Sequence, residues 1–537
     1  MTRGFGDEKV HCTSYLDTLF EKFSHSLVTP LKIIVIIFLI MCGISIGYHT
    51  GSLAHRGPDG EHGVILGKWH FKFYRLAIND LSNNGMQPFV KSGCMLVCNG
   101  EIYNHKDFET GKEISSSDCE CLLGMISRYG IHYTCNLIRG VFALAWTDGD
   151  RLLAARDPFG VRPLFYVKTE DGSIAMASEV KALADYEGKV EIFPPGHFYD
   201  SFLGDFVCYH NIYWHVDKGI VDGADFMVRE LFVEAVRRRV DNTEREVGFL
   251  LSGGLDSSLV VAVASNILNT QLTTFSIGQP DSPDILAARK VAKALGTNHH
   301  EVVFDFDEGI RMIPTVLKSL ESYDTTTIRA STPMWILCKW IKENTNVRVL
   351  LSGEGSDEIL GGYKYYKNAP SLEEFQTETI RRLRLIHQFD VLRADRCTAA
   401  HGLELRVPFL DRDFVDGVIR LDPSVKKTPL EKQVLRDAFR SELPLEILNR
   451  PKDAFSDAVG YGWVDHIREY TEKYVPNELL EHVKTGHNQP LTKEEAWYRQ
   501  LFNSFYGADK DHLITEIWRP KWTSVTDPSA RKLSVSV

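Results

Sequence analysis

Between residues 63 and 209 apolar and polar positions alternate in short runs, the period-two pattern of strands that bury one face. Runs 67–78, 94–98, 142–146, 151–155 and 164–167 read as strands. Asp148-Gly149 and Asp171-Gly172 lie between such runs and read as hairpin turns. A helical stretch at 119–129 interrupts them. The pattern predicts an antiparallel, β-rich first domain with helices packed on it. After a polar connection at 217–225 the period changes. Residues 247–251, 272–277, 301–304 and 347–351 are short apolar runs, and Pro283–Leu295 places Ile285, Ala288, Val291, Ala292 and Leu295 at helical spacing. Strand alternating with helix predicts a parallel sheet that receives ligands at the carboxyl ends of its strands.

Residues 1–41 do not join either pattern. Residues 31–40 (LKIIVIIFLI) are almost wholly apolar, and counted from Ile33 to Ile46 the stretch is about 14 residues, shorter than the roughly 20 that span a bilayer. The segment before it is long and carries acidic residues, unlike a secretory leader. These residues are read as an extension that the active protein lacks, in preference to a membrane anchor. The expected units are 42–215, 226–522 and a polar, poorly ordered tail at 523–537.

Composition narrows the function classes. Of the 537 residues, 44% are hydrophobic and 25% charged, as in an ordinary soluble protein. A net charge of -11 without basic runs argues against a nucleic-acid surface. The 10 cysteines show no zinc-ligand spacing, so Cys94, Cys98, Cys119 and Cys121 read as buried thiols. No N-x-[ST] sequon occurs, which fits a reducing cytoplasm.

Chemistry enters at residues 250–258, LLSGGLDSS. An apolar run stops at Ser252-Gly253-Gly254 and a helix begins after Asp256. The expectation is that both glycines adopt backbone conformations closed to other residues, so that consecutive N–H groups, the serine hydroxyls and the helix N-terminus hold a phosphate. A plain strand-to-helix turn is the bland alternative. The Walker spacing is absent. The loop resembles the pyrophosphate loop of enzymes that split ATP between its α and β phosphates. After the run 347–351 comes a second loop, Ser352-Gly353-Glu354-Gly355-Ser356-Asp357-Glu358, with three carboxylates in five residues. With Asp256 these hard oxygen donors suit Mg²⁺ on a triphosphate. Lys452 is a candidate cation for the departing pyrophosphate.

Several longer motifs carry a more specific resemblance: His55-Arg56-Gly57-Pro58-Asp59, Arg75-Leu76, Asn99-Gly100-Glu101-Ile102-Tyr103-Asn104, Ser117-Asp118-Cys119-Glu120, Ala177-Ser178-Glu179, Thr326-Thr327-Ile328-Arg329-Ala330-Ser331-Thr332-Pro333 and Arg406-Val407-Pro408-Phe409-Leu410-Asp411. With the two loops, these make nearly all of the chain from Cys42 onward resemble the glutamine-hydrolysing asparagine synthetases. The resemblance implies an α+β N-terminal-nucleophile glutaminase domain (an αββα sandwich) followed by an α/β ATP-pyrophosphatase-like synthetase domain. It implies Cys42 as nucleophile, Asn99 and the Gly100 N–H as oxyanion hole, Arg75 on the glutamine carboxylate, and Glu101 and Asp118 on its ammonium. In the second domain it places Leu251 and Ile277 near adenine. Ser252, Gly253, Gly254, Asp256, Ser257 and Ser258, with Ser352, Gly353 and Lys452, fall on ATP and pyrophosphate. Asp256 and Asp357 become Mg²⁺ ligands, Glu354 a carboxylate near the reacting centre, and Thr326 and Arg329 contacts for aspartate. The implied partners are glutamine, aspartate and ATP, with no nucleic acid and no membrane; a homodimer is allowed.

Two features depart from that family. Its nucleophilic cysteine is the first residue, with a free α-amine as base, whereas Cys42 follows 41 residues. A start or cleavage at Met41, and removal of Met41, would expose the amine. Only 12 residues separate Cys42 from His55, so most of an early helix is missing. The rival readings are a related synthetase that activates another carboxylate and a membrane-tethered, glutaminase-dead form.

Overall fold

The alternating runs of the first half close two six-stranded sheets face to face. The computed structural model describes residues 42–108, 113–170, 172–213, 219–451, 462–483, 486–524 and 527. In spatial order the first sheet holds Val190–Ile192, Phe165–Lys168, Ile174–Ala177, Gly43–Ile46, Trp69–Arg75 and Gly60–Leu66. The second holds Asp205–Cys208, His197–Asp200, Leu152–Arg156, Gly140–Thr147, Cys94–Ile102 and Phe89–Lys91. Every pairing within them is antiparallel.

Side-chain alternation decides what each face meets. Ile44, Ile46, Phe71 and Phe73 point inward onto Met95, Val97, Ala143 and Ala145. The opposite face of the second sheet presents Leu96, Cys98, Leu144 and Trp146 to Leu122, Met125 and Ile126 of the helix Cys121–Tyr129. The outer face of the first sheet, with Tyr74, Ala175 and Ala177, has no α-helix from the described part of 42–213 above it. Leu53, Val180 and Leu183 cover it, and its apolar cluster runs on into the core of the second half. The short span between Cys42 and His55 leaves no length for a helical layer there. The strand Gly60–Leu66 escaped the periodicity because it is a mostly exposed edge with the polar sequence GEHGVIL.

The second half is built on a five-stranded sheet in the order Asn298–Val303, Thr273–Gly278, Val247–Leu250, Val349–Leu351, Glu404–Arg406. All four pairings are parallel. The chain leaves the central strand in one direction and returns on its other side, so the crevice at this reversal lies beyond the ends of Val247–Leu250 and Val349–Leu351, the position where open sheets take ligands. The helix Pro283–Leu295 has the bounds its pattern predicts: Ser282 caps its N-terminus by accepting from the Ile285 N–H, proline stands in its first turn, and Gly296 ends it at φ 65. The short strand Glu404–Arg406 was not anticipated; two of its three residues are charged, and all are buried.

Ion pairs reinforce the apolar contact that joins the halves. The Arg56 guanidinium, wholly buried, makes two 2.9 Å bonds to Asp395 and one of 2.7 Å to Glu179. Glu179 also pairs with Arg396 at 2.6 Å, and Arg162 with Glu404 at 2.9 Å. Arg56→Met would leave the Asp395 and Glu179 carboxylates buried beside too little positive charge, at a cost of about 3–5 kcal/mol. Chemical denaturation of the full chain should therefore show an earlier midpoint, and Arg56→Met combined with Asp395→Leu should recover part of the loss.

Candidate active site

The strand Val247–Leu250 delivers Leu251 and the loop behind it to the carboxyl edge of the parallel sheet. Gly253 stands at φ 72, and a Cβ there would lie 2.3 Å from the Ala288 backbone nitrogen, so the loop can press against the helix Pro283–Leu295 only as glycine. Gly254 does not share this need. It has φ -73, in the ordinary range, and serves as N-cap of the helix Leu255–Leu268, which corrects the expectation for the second glycine. Serine hydroxyls knit the turn: Ser257 Oγ accepts from the Ser252 N–H at 3.2 Å, and Ser252 Oγ accepts from the Gly254 N–H at 3.3 Å. Ser252, Gly254, Asp256 and Ser257 line the cleft, while Gly253 and the buried Ser258 stand behind it.

The second loop meets the first almost backbone to backbone. A Cβ on Gly353 would sit 2.9 Å from both the Asp256 Cβ and the Ser257 nitrogen. Ser356 Oγ donates to Asp256 Oδ1 at 2.7 Å. Between the loops stands Lys432, its side chain almost fully buried. Its Nζ lies 2.6 Å from Asp256 Oδ2 and 2.6 Å from Asp357 Oδ1. Gly362 leaves room for this contact, since a Cβ there would fall 2.1 Å from Asp357 Oδ1 and 2.2 Å from Lys432 Cε. Nothing in the sequence marked Lys432, which follows two other lysines in the stretch KKTPLEK. Lys452, singled out instead, lies outside the described residues. Among the described residues no group of three or more His, Cys, Asp or Glu side chains forms a metal cage. Asp256 and Asp357 are hard oxygen donors of the kind that Mg²⁺ takes alongside substrate phosphates, and each also pairs with Lys432.

Around the rest of the cleft the character changes with position. Leu250, Leu251, Phe275, Ile277, Met334 and Leu337 make an apolar end, and Ser352 and Gly353 lie at the junction. At the polar end Ser352 Oγ donates to Glu354, Arg393 Nη2 lies 3.3 Å from Glu354 and 2.8 Å from Asp390, and the Tyr363 hydroxyl donates to Glu358. Burial raises the Glu354 carboxyl although Arg393 opposes it. Burial, then Asp390 and Asp357, push Glu358 up to about 8.

The helix Thr325–Asn344 contributes Thr326, Ala330, Met334 and Leu337 to the cleft wall. Arg329 precedes Ala330 by one residue, about 100° around the helix, and points elsewhere. Its guanidinium binds Glu494 at 2.8 and 2.6 Å and Asp527 at 3.0 Å. It is therefore held in ion pairs outside the cleft, whose own lining includes Arg393, Arg436 and Arg450, none of which the sequence motifs mark.

The first half gathers its own constellation. The Cys42 thiol donates to the Leu76 carbonyl (3.3 Å) and accepts from the Leu76 N–H (3.1 Å); burial pushes it up to about 12. Arg75 is held by the Ser82 carbonyl at 2.6 Å and by the Asp80 carbonyl. Asn99 is buried with no hydrogen-bond partner on its Nδ2. A Cβ on Gly100 would come within 2.1 Å of the Val141 carbonyl, so strand pairing itself requires glycine next to that amide. Glu101 and Asp118 share the Asn79 amide at 2.9 and 3.3 Å.

Comparison with known proteins covers both halves. The family model described as asparagine synthase matches residues 227–375 and 367–527, and that of the glutamine amidotransferase domain matches residues 45–197. Asparagine synthetase (glutamine-hydrolyzing) of Cricetulus griseus is 42% identical over 534 residues, covering 90% of this chain and 94% of that protein. The protein of the same description from Homo sapiens is 42% identical over 533 residues, with the same coverage. With a two-loop cleft on a parallel sheet, a first half matched by the glutamine amidotransferase domain, and identity sustained over 90% of its length, the chain belongs to the glutamine-hydrolysing asparagine synthetases.

Proposed function

We propose that this chain makes asparagine from aspartate, ATP and glutamine through a β-aspartyl-AMP intermediate. The observation that carries the reading is the meeting of Asp256, Asp357 and Lys432 in the same cleft as Glu354 and Arg393. The apolar end suits a purine, and the loop 252–257 suits the phosphates. At the polar end the buried Arg393 and the buried, unpartnered Thr326 hydroxyl suit the charged groups of aspartate. The β-carboxylate oxygen of aspartate attacks the α-phosphorus and pyrophosphate leaves, its charge met by Lys432. Ammonia then attacks the acyl carbon and AMP departs. Glu354, made more basic by burial, takes the proton that the attacking nitrogen loses. Mg²⁺, held by Asp256 and Asp357, would supply further charge on the phosphates.

Ammonia comes from glutamine at Cys42. Arg75 pairs with the glutamine carboxylate, Glu101 and Asp118 with its ammonium, and the Asn99 amide with the Gly100 N–H meets the oxyanion. A thiol pushed up to about 12 needs a base at hand. The α-amine of Cys42, with a pKa of about 8, is that base when Cys42 begins the chain; the peptide nitrogen that follows Met41 has no such basicity.

Asp256→Ala and Lys432→Met should each lower asparagine formation by about 10²–10³ with glutamine or with ammonium as donor, while glutamate release from glutamine persists. Normal synthesis in either variant would overturn the assignment. For the cysteine, a chain beginning at Cys42 should use both donors and a chain beginning at Met1 only ammonium. N-terminal sequencing of each preparation is the control, and equal glutamine use by two intact forms would refute the free-amine argument.

A further inference from the structure

Glu101 is not held by its own half of the molecule alone. Its Oε2 accepts from Asn79 Nδ2 at 2.9 Å and from Asn242 Nδ2 at 2.9 Å, and Arg406 Nη2 lies 2.9 Å away as an ion pair. Asn242 follows the helix Ala224–Asp241, and Arg406 ends the strand Glu404–Arg406, so both belong to the second half. The Arg406 guanidinium is fixed from every side. It binds Glu404 at 2.8 Å and the carbonyls of Arg239 and Asn242 at 2.7 and 2.9 Å, and the Tyr103 ring centroid lies 5.7 Å away. Its backbone carbonyl meanwhile accepts from the Ser352 N–H at 3.2 Å, where the acidic loop of the synthetase cleft begins. One residue thus touches the glutaminase carboxylate through its side chain and the synthetase loop through its main chain.

We propose that Arg406 and Asn242 are positioning residues for glutamine: the synthetase half aims the ammonium-binding carboxylate Glu101 and sets positive charge beside it. This rests on the assignment of Glu101 to the glutamine ammonium made above. Glu101 needs such help. Burial, then Asp118 and Glu404, raise its carboxyl, while Arg406 and Arg162 oppose the rise. The groups around it are Asp118 ahead of the helix Cys121–Tyr129, Cys119, Asn79 after the strand Trp69–Arg75, Cys42, Tyr103 and Arg162, besides Glu404, Arg406 and Asn242. A protonated Glu101 cannot pair with an ammonium. Without Arg406 the balance tips toward that neutral form, and the effect deepens as pH falls.

The test uses the chain that begins at Cys42, with glutamate release and ammonium-driven asparagine formation measured side by side. Asn242→Leu and Arg406→Gln should each raise the KM for glutamine about tenfold, with kcat for glutamate release and the KM for aspartate in the ammonium reaction left in place. In Arg406→Gln the pH below which glutamine KM climbs should move up by about one to three units. Arg406→Lys, which keeps the charge, should restore most of that shift. Residues that merely tie the halves together would change stability and both activities without moving this pH profile. If Arg406→Gln does not fold, Asn242→Leu decides. An unchanged glutamine KM in the folded variants, with a raised KM in Glu101→Gln, overturns the proposal. If Glu101→Gln also leaves KM unmoved, the assignment of Glu101 itself is wrong and the proposal goes with it.

Discussion

The synthetase cleft depends on one buried ammonium shared by two carboxylates. Asp256 and Asp357 arrive on loops from adjacent strands of the parallel sheet, and neither would tolerate the other so near without Lys432, 2.6 Å from each. Three glycines make the meeting sterically feasible: Gly253 against the neighbouring helix, Gly353 against Asp256, and Gly362 under the lysine. Such a triad contributes little to net stability, since desolvation offsets much of the attraction. Its worth is geometric. It sets the separation of the two loops that line the cleft.

The same device, repeated, joins the two halves. Arg56 and Arg162 of the first half pair with Asp395 and Glu404 of the second, while Arg396 and Arg406 of the second pair with Glu179 and Glu101 of the first. Backbone N–H groups of Val180 and Lys181 donate to Glu321 across the same seam, each at 2.9 Å. An apolar contact can slide by a few ångströms at little cost, whereas a bidentate arginine on a buried carboxylate cannot. Two sites that must exchange a small reactive molecule are therefore fixed in relative orientation by charge as well as by a shared apolar core. The cost is a seam in which almost every member has a partner that must be present.

Much of this was legible in the chain, for identifiable reasons. The helix Pro283–Leu295 carries its own cap, proline and terminal glycine, and the inner strands Val247–Leu250 and Val349–Leu351 of the parallel sheet are apolar because strands cover them on both sides. The two loops were visible because glycine, serine and acid directly after an apolar run are unusual chemistry. Lys432 was not visible, because a lysine in a polar stretch looks the same whether it faces water or two carboxylates. Glu404–Arg406 was hidden for the opposite reason, since a buried strand that satisfies its charges by ion pairs has no apolar signature. Arg329 was misplaced because a motif names residues together, whereas a helix sends neighbours to different faces; Glu494 and Asp527 claim its charge.

The strand order has a consequence for how the molecule comes into being. Synthesis runs from the amino end, and domains fold as units while the ribosome is still at work. Every strand of the two antiparallel sheets has emerged by Cys208, but the parallel sheet must wait for its edge strand, Glu404–Arg406. During that interval Arg162 and Glu101 lack the second-half partners Glu404 and Arg406, and Arg56 and Glu179 have each other but not Asp395 and Arg396. Water solvates these groups well, so the nascent first half carries charges among the apolar side chains, Leu53, Tyr74 and Leu183 among them, that the second half will cover. The ions in this seam thus keep the unfinished chain hydrated at a face that would otherwise be wholly apolar.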